Sequence, residues 1–303
     1  MITFVGLKNR SAGKIRGEQL ANEMGGYFYD FSEIYTSNLP ITKIVIIVRN
    51  RQDKDFEKAL KAAGCIVGYD ILDNPIGDFL FRDISPDFSR YVDDKSFDFY
   101  ITNNTENASE LSKYTQKKIF VIPHHSVNFN KERSCNGQKI KKVGYLGLDY
   151  GNKKQKDIKD ICDDLEIEYL CYSSNSKDEC ADFLKTLDAG IIFVDEESPG
   201  NIIRKYKPNT KLINFQSFGI PVICSEYSSF LEFGDENYIS VKTLNDVRKS
   251  LEVLISDKKK RADLSDRSFI TGSRFHISQI IKDYYLEIFE YFNKGLGLGA
   301  TDE

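Results

Sequence analysis

No apolar stretch in this sequence is long enough to cross a bilayer. Its longest runs, such as KIVIIV at 43–48, are strand-sized, well short of the roughly 18 residues that a span requires. The export-signal pattern is missing too, because MITFVGLKNR goes straight into a strand with no basic region, long apolar segment or small-residue cleavage site. A cytoplasmic location is therefore expected. Six cysteines (Cys65, Cys135, Cys162, Cys171, Cys180 and Cys224) occur without a CxxC pair or a Cys/His cluster. Neither a metal site nor a disulfide framework has its spacing, so they read as reduced thiols, most of them buried. No GxSxG or HExxH supports hydrolase chemistry. The acidic pairs Asp93-Asp94 and Asp163-Asp164 read as parts of solvated segments, not metal-binding loops. With a net charge of -4 and 29% charged residues, the chain lacks the basic face that nucleic acid attracts. Any anion site must be local.

Apolar material is plentiful: 41% of 303 residues are hydrophobic and 13% aromatic, enough for two domains with cores of their own. ITFVGL (2–7) predicts a strand, KNRSAGK a polar turn and IRGEQLANEMGG a helix that stops on two glycines. Further strands are predicted at GYFYDF, TKIVIIVRN, CIVGYDILD, FDFYITNN and KKIFVIPHH, with helices at FEKALKAAG and ENASELSKY. Strands that are apolar throughout and alternate with helices imply a parallel sheet covered on both faces. The stretch HHSVNFNKERSCNGQKIK has no period and reads as a linker.

The same grammar restarts at KKVGYLGLDYGN. The helix KQKDIKDICDDLE, the strand IEYLCYSS, the helix ECADFLKTL, the strand DAGIIFVD and the strand IPVICSE come next. LNDVRKSLEVLISDKKKRADLS supplies helical material with a solvated charge run. In SQIIKDYYLEIFEYF, residues Ile280, Ile281, Tyr284, Tyr285, Ile288 and Phe289 recur every three or four positions, which marks a core-facing helix. The expected layout is a doubly wound domain over 1–125, a linker over 126–140, a second such domain over 141–275, a closing helix over 276–294 packing back across the domains, and a frayed tail over 295–303. Two doubly wound α/β domains would place their strand-end loops on a shared cleft, which suits two substrates.

The stretch RKYKPNTKLINFQSFGIPVI (204–223) concentrates cations in an acidic protein. Pro208, Asn209 and Thr210 read as a helix start, with Asn209 or Thr210 as the cap. Lys211 then falls in the first turn, with Arg204, Lys205 and Lys207 in the loop before it. A cation is disfavoured at a helix N-terminus unless an anion binds there, so Lys211 and Lys207 are candidate diphosphate ligands; the alternative is a solvated basic loop. Gly219 reads as the helix stop and Pro221 as the first residue of a strand.

Several patterns, most of them from about Lys142 onward, resemble the GT-B glycosyltransferases, within them the group 1 or family 4 enzymes. IFVIPHHSVNF is similar to the segment where such enzymes leave their first sheet, and VGYLGLDYGNKKQKD to the strand and glycine turn that open the nucleotide-binding half. LKTLDAGIIFVD and KLINFQSFGIPVICSEYSSFLEF resemble the helix and strand segments bordering the donor. The resemblance implies an α/β fold of two Rossmann-like doubly wound domains facing a cleft. It also implies a transferase that moves a sugar from a nucleotide-diphosphate donor to a glycan, glycolipid or polysaccharide acceptor. The two glutamates that family 4 members carry around the donor are absent: aligned on Gly219, their positions hold Tyr206 and Asn214.

A metal-free transferase must stabilise the leaving diphosphate with helix amides and cations. The candidate donor residues are Gly147 and Asn152 in the glycine turn, Arg204, Lys207, Asn209, Thr210 and Lys211 around the helix start, and Glu226 at a strand end, where it could accept from a sugar hydroxyl. On the acceptor side, Asp73 and Asp70 are candidate bases, with Asp73 also read as a turn residue. His124 is a further catalytic candidate. Arg10, Ser11, Gly13, Lys14 and His125 are expected to line the cleft. No cofactor and no metal are expected. Partners would be the nucleotide sugar, the glycan and, through a lipid-linked acceptor, a membrane surface. The competing readings are a non-catalytic nucleotide- or glycan-binding module, a nucleotide-sugar epimerase, which three histidines supply poorly with acid/base groups, and a phage-type DNA-base glycosyltransferase, against which the acidic balance weighs.

Overall fold

The computed structural model describes residues 1–34, 39–51, 54–72, 87–147, 153–174, 176–193, 205–232 and 237–295. The chain divides into two compact units, Met1–His124 with Ile277–Glu303, and His125–His276.

The first unit is built on β1 (Ile2–Gly6), β2 (Tyr27–Asp30), β3 (Ile44–Val48), β4 (Ile66–Asp70), β5 (Phe99–Thr102) and β6 (Lys118–Val121). These form one sheet in the order β2-β1-β3-β4-β5-β6, and every recorded pairing is parallel. The sequence IVIIV of β3 is buried along its whole length, as a strand covered on both faces must be. Helix α1 (residues 11–24) follows β1, α2 (Lys54–Ala62) follows β3, and α3 (Thr105–Leu111) follows β5. Asn104 caps α3 by accepting from the Asn107 amide, which fits its placement just ahead of an apolar period.

The closing helix α10 (residues 277–295) belongs to this first unit. Ile280, Tyr285 and Ile288 of its predicted face are buried, and Ile281, Tyr284 and Phe289 half-buried. Phe292 lies 5.3 Å from Phe99, Tyr291 lies 5.8 Å from Phe120, and Lys118 pairs with Glu287 at 3.1 Å. Two turns of π-helix interrupt the helices of this unit, Lys14–Glu18 in α1 and Ile281–Tyr285 in α10.

The second unit holds β7 (Lys142–Leu146), α4 (Lys153–Asp164), β8 (Glu168–Tyr172), α5 (Lys177–Lys185), β9 (Ala189–Ile192), α6 (Thr210–Ser217), β10 (Val222–Ser225), α7 (Ser228–Leu231), β11 (Ile239–Val241), α8 (Leu244–Ser256) and α9 (Lys258–Ser273). Its sheet runs β11-β10-β9-β7-β8, again parallel throughout. Alternate residues of the central strands feed opposite faces. Ile192, Val222 and Cys224 join one core with Leu184, Leu212 and Phe215, while Ile191 and Ile223 join another with Ile158, Val247 and Leu251.

Three expectations change here. The aperiodic segment over 126–140 is no free linker: Val127 donates to Asn214, Arg133 pairs with Asp266, and Ser265 donates to the Cys135 carbonyl, all within the second unit. Side chain to main-chain bonding of this kind leaves no hydrophobic period to read. The charge run at 257–263 is not wholly solvated, because Arg261 is buried and donates from Nη1 to the carbonyls of Leu254 (2.7 Å) and Ile255 (2.9 Å), closing the end of α8 as Asp257 caps the start of α9. Asp93 and Asp94 are also engaged. Asp93 pairs with Arg51 at 2.9 Å, and Asp94 accepts from Tyr100 at 3.0 Å and from Thr115 at 2.6 Å.

Helix α6 is held hard against α9. A Cβ on Gly272 would stand 2.2 Å from the Ser217 amide nitrogen, so the two backbones touch where no side chain fits. Gly272→Ala, which in an exposed helix would stabilise by about 1 kcal/mol, is expected instead to destabilise by about 1–3 kcal/mol through overpacking. A lowered urea midpoint with an unchanged slope is the expected result, and an unchanged or raised midpoint would contradict this packing.

Candidate functional site

The start of α6 gathers an unusual set of buried polar groups. Asn209 occupies the cap position, but its side chain makes no cap bond. The residue is 3% exposed, and its Oδ1 is buried without a hydrogen-bond partner among the described residues. Two residues later, the Lys211 ammonium lies over the Tyr145 ring, 4.0 Å from its centroid, and donates to the Tyr145 hydroxyl. Gly147, at the exit of β7, leaves room for it: a Cβ there would be 2.7 Å from Lys211 Nζ.

Burial lowers the Lys211 pKa to about 8, and the thiols Cys224 and Cys171 oppose this only partly. Among the described residues no carboxylate pairs with it. The amine thus carries two unfavourable terms, desolvation and the positive end of a helix, both of which a bound anion would relieve. Lys207 and Thr210 are half-buried beside it, and Ser229 donates to the Lys207 carbonyl at 2.7 Å. Glu226 is exposed directly after β10. Arg204 and Asn152 lie outside the described residues.

The positions where glutamates would be sought serve the fold. Asn214 is buried, and its Oδ1 accepts from the Val127 amide at 3.0 Å; Tyr206 is buried with Lys205 over its ring at 5.2 Å.

In the first unit, α1 begins at Ser11, so the expected turn ends at Arg10, which is exposed. Gly13 and Lys14 belong to the first turns of the helix, which replaces the loop expected from their polarity. Gly13 is needed there because a Cβ would stand 2.1 Å from the Leu7 carbonyl oxygen. Asp70, expected as a base at a strand end, is instead 0% exposed and bound through Oδ2 by Arg16 Nε at 2.7 Å, an ion pair closed off from solvent. Asp73 lies outside the described residues. His124 is buried at the end of the first unit, just beyond β6. His125 is the first residue of the second unit, with Nδ1 3.1 Å from the Ser126 carbonyl and its ring edge-on to Phe129 at 5.4 Å, which makes it a packed residue of the 125–129 segment.

Arg16 and Tyr285 were not legible as site residues. Arg16 stands inside an ordinary helical stretch, and its partners Asp70, Ile122 and Pro123 lie 54 to 107 positions away.

No protein-family model matches the sequence, and no curated protein matches it. Solved structures do. Anabaena HepE, in complex with UDP and glucose, superposes with a TM-score of 0.59 at 11% identity, covering 96% of this chain and 99% of that one. AviGT4, a glycosyltransferase involved in avilamycin A biosynthesis, gives 0.51 at 10%, covering 97% and 98%. The accessory secretory protein 1, 2 and 3 structure from Streptococcus pneumoniae gives 0.53 at 10%, covering 88% of this chain and 57% of that one. At these identities the likeness shows the fold, two Rossmann-like units of the GT-B type.

The Lys211 pKa carries a stability consequence. Below about pH 8 the amine is charged in both folded and unfolded chains, and its burial cost is fully present. As pH rises from about 8 towards 10.5, the folded chain loses the proton first and the cost fades. A displacement of this size corresponds to roughly 3 kcal/mol at most. Lys211→Met is therefore expected to be more stable than the parent by about 1–3 kcal/mol at pH 7, with the difference shrinking by pH 10. Urea unfolding at the two pH values measures it, and a less stable variant at pH 7 would show that the amine is already compensated.

Proposed function

We propose that this chain is a nucleotide-sugar glycosyltransferase that binds the donor diphosphate at the start of α6, between Lys211, Lys207 and the first-turn amides of Asn209 and Thr210. The observation that carries the reading is the buried Lys211 ammonium, which has no carboxylate partner among the described residues and stands at the positive end of a helix. That position calls for an anion whose charge grows as the reaction proceeds, and a leaving diphosphate is such an anion. The bond between the anomeric carbon and the diphosphate oxygen breaks with its electron pair going to the diphosphate. The acceptor oxygen bonds to the anomeric carbon, and its proton passes to a base on the first unit, for which His124 and Asp73 are the candidates. Gly147 and Asn152 would bring backbone to the donor, Arg204 would add charge, and Glu226 would accept from a sugar hydroxyl. Arg10, Ser11 and Lys14 would face the acceptor, read as a glycan or glycolipid. The charge work is assigned to amides and lysines, so no metal is required. HepE was crystallised with UDP and glucose, which makes UDP-glucose the first donor to try.

One observation favours a second reading, a nucleotide- or glycan-binding module without catalysis. Asn214 and Tyr206 replace both glutamates of the family resemblance and are turned to packing. Release of free nucleotide separates the two readings.

A panel of UDP, GDP, CMP and ADP sugars is expected to contain at least one that raises the melting temperature, since a ligand at 100 times its dissociation constant adds about 2.7 kcal/mol. For that ligand, Lys211→Ala and Lys207→Ala should weaken binding about tenfold or more at low salt and less at high salt. Equal affinity in parent and variants at both salt concentrations would take the two lysines out of the donor site.

A further inference from the structure

The structure places one unusually engaged side chain at the heart of the first unit. The Arg16 guanidinium is 1% exposed. Its Nε donates to Asp70 at 2.7 Å, and its Nη1 donates to the carbonyls of Ile122 and Pro123, each at 3.0 Å. Asp70 ends β4, and Ile122 and Pro123 continue the chain beyond β6. In the sheet β5 lies between those two strands, so Arg16 ties together the carboxyl ends of strands that are not neighbours.

The closing helix reaches the same point. Tyr285 is completely buried with its ring 5.9 Å from Phe4, and its pKa is raised by burial first, with Asp70 adding to the rise and Arg16 opposing it. Arg16 and Tyr285 each sit within one of the two π-helical turns. A π-turn inserts a residue and so re-aims the side chains after it, and it is found most often where a side chain has a task.

The residue immediately after the two gripped carbonyls is His124. We propose that Arg16 is a positioning residue that sets the backbone at Ile122 and Pro123 and thereby fixes the His124 imidazole at the carboxyl edge of the first sheet. The proposal rests on reading His124 as the acceptor-side base. Stability alone is a poor account of the arrangement, because a buried ion pair is often no better than an apolar pair of the same volume. Two main-chain bonds from the same guanidinium do something an apolar pair cannot, which is to define where a strand end lies. The planar fork of arginine is also what allows Asp70 and two carbonyls to be served together, and a lysine ammonium lacks that reach and geometry.

The test reads the histidine ring and needs no substrate. The chain has three histidines, His124, His125 and His276, so ring proton–carbon spectra are simple and are assigned with His124→Gln and His276→Gln. Arg16→Lys keeps a cation for Asp70 and gives up the carbonyl grip. Arg16→Met combined with Asp70→Leu removes both charges, leaves no unpaired one, and serves if the single variant does not fold. In a folded variant the His124 signal is expected to shift or split while that of His276 stays in place. An unchanged His124 signal in either folded variant would overturn the proposal. Absence of nucleotide release with every sugar tried would remove the transferase reading and leave this outcome standing by itself.

Discussion

A lysine amine shut away from water, with no carboxylate paired to it among the described residues and a helix N-terminus beneath it, is the constraint around which the second unit is arranged. The cost of such a charge is set by desolvation, and most of the local structure serves to keep the amine in place. Tyr145 lies under it and accepts from it. Gly147 clears the space above it, and Gly272 lets α9 press α6 into a fixed position. On the opposite side of α6, Phe215 packs on Gly190 of β9, where a Cβ would stand 2.6 Å from the ring. The helix can carry this strained charge because its other faces are buried in a core of leucine, phenylalanine and cysteine.

Much of this was legible in the sequence, for identifiable reasons. Strands such as IVIIV and AGII are apolar without interruption and fall between helical periods, so the two parallel sheets can be read from hydrophobic pattern alone. PNTK announced the start of α6, because proline and asparagine just ahead of an apolar period mark a helix entry, and Lys211 stood out as a cation in a first turn. The features that escaped reading depend on partners distant in sequence. The Arg16 and Asp70 pair spans 54 positions, and the bond from Val127 to Asn214 spans 87. Arg261 looked like one more member of a surface charge run until the fold brought three carbonyls around it, two from α8 and one from Gly137. No local pattern separates such buried cations from exposed ones.

Asn214 shows how a residue can leave one role and take another. A glutamate at this point of the resembling family faces the donor, whereas the shorter amide here turns inward and holds the segment that opens the second unit. Where the resemblance places two glutamates, this chain has Tyr206 and Asn214. On the proposed reading, donor recognition would rest more on the diphosphate and less on hydroxyl contacts than the resemblance alone would imply.

The central claim, that the Lys211 amine is the counter-charge of a bound diphosphate, is tested most directly by the protons that binding takes up. Near pH 8.5 an amine with a pKa of about 8 is mostly neutral, and an anion placed beside it raises that pKa and draws a proton in. Calorimetric titration with UDP in two buffers of different ionisation enthalpy is predicted to show uptake of a fraction of a proton per UDP bound in the parent and none in Lys211→Met. Equal uptake in both proteins, or UDP binding with no uptake in the parent, would contradict the account.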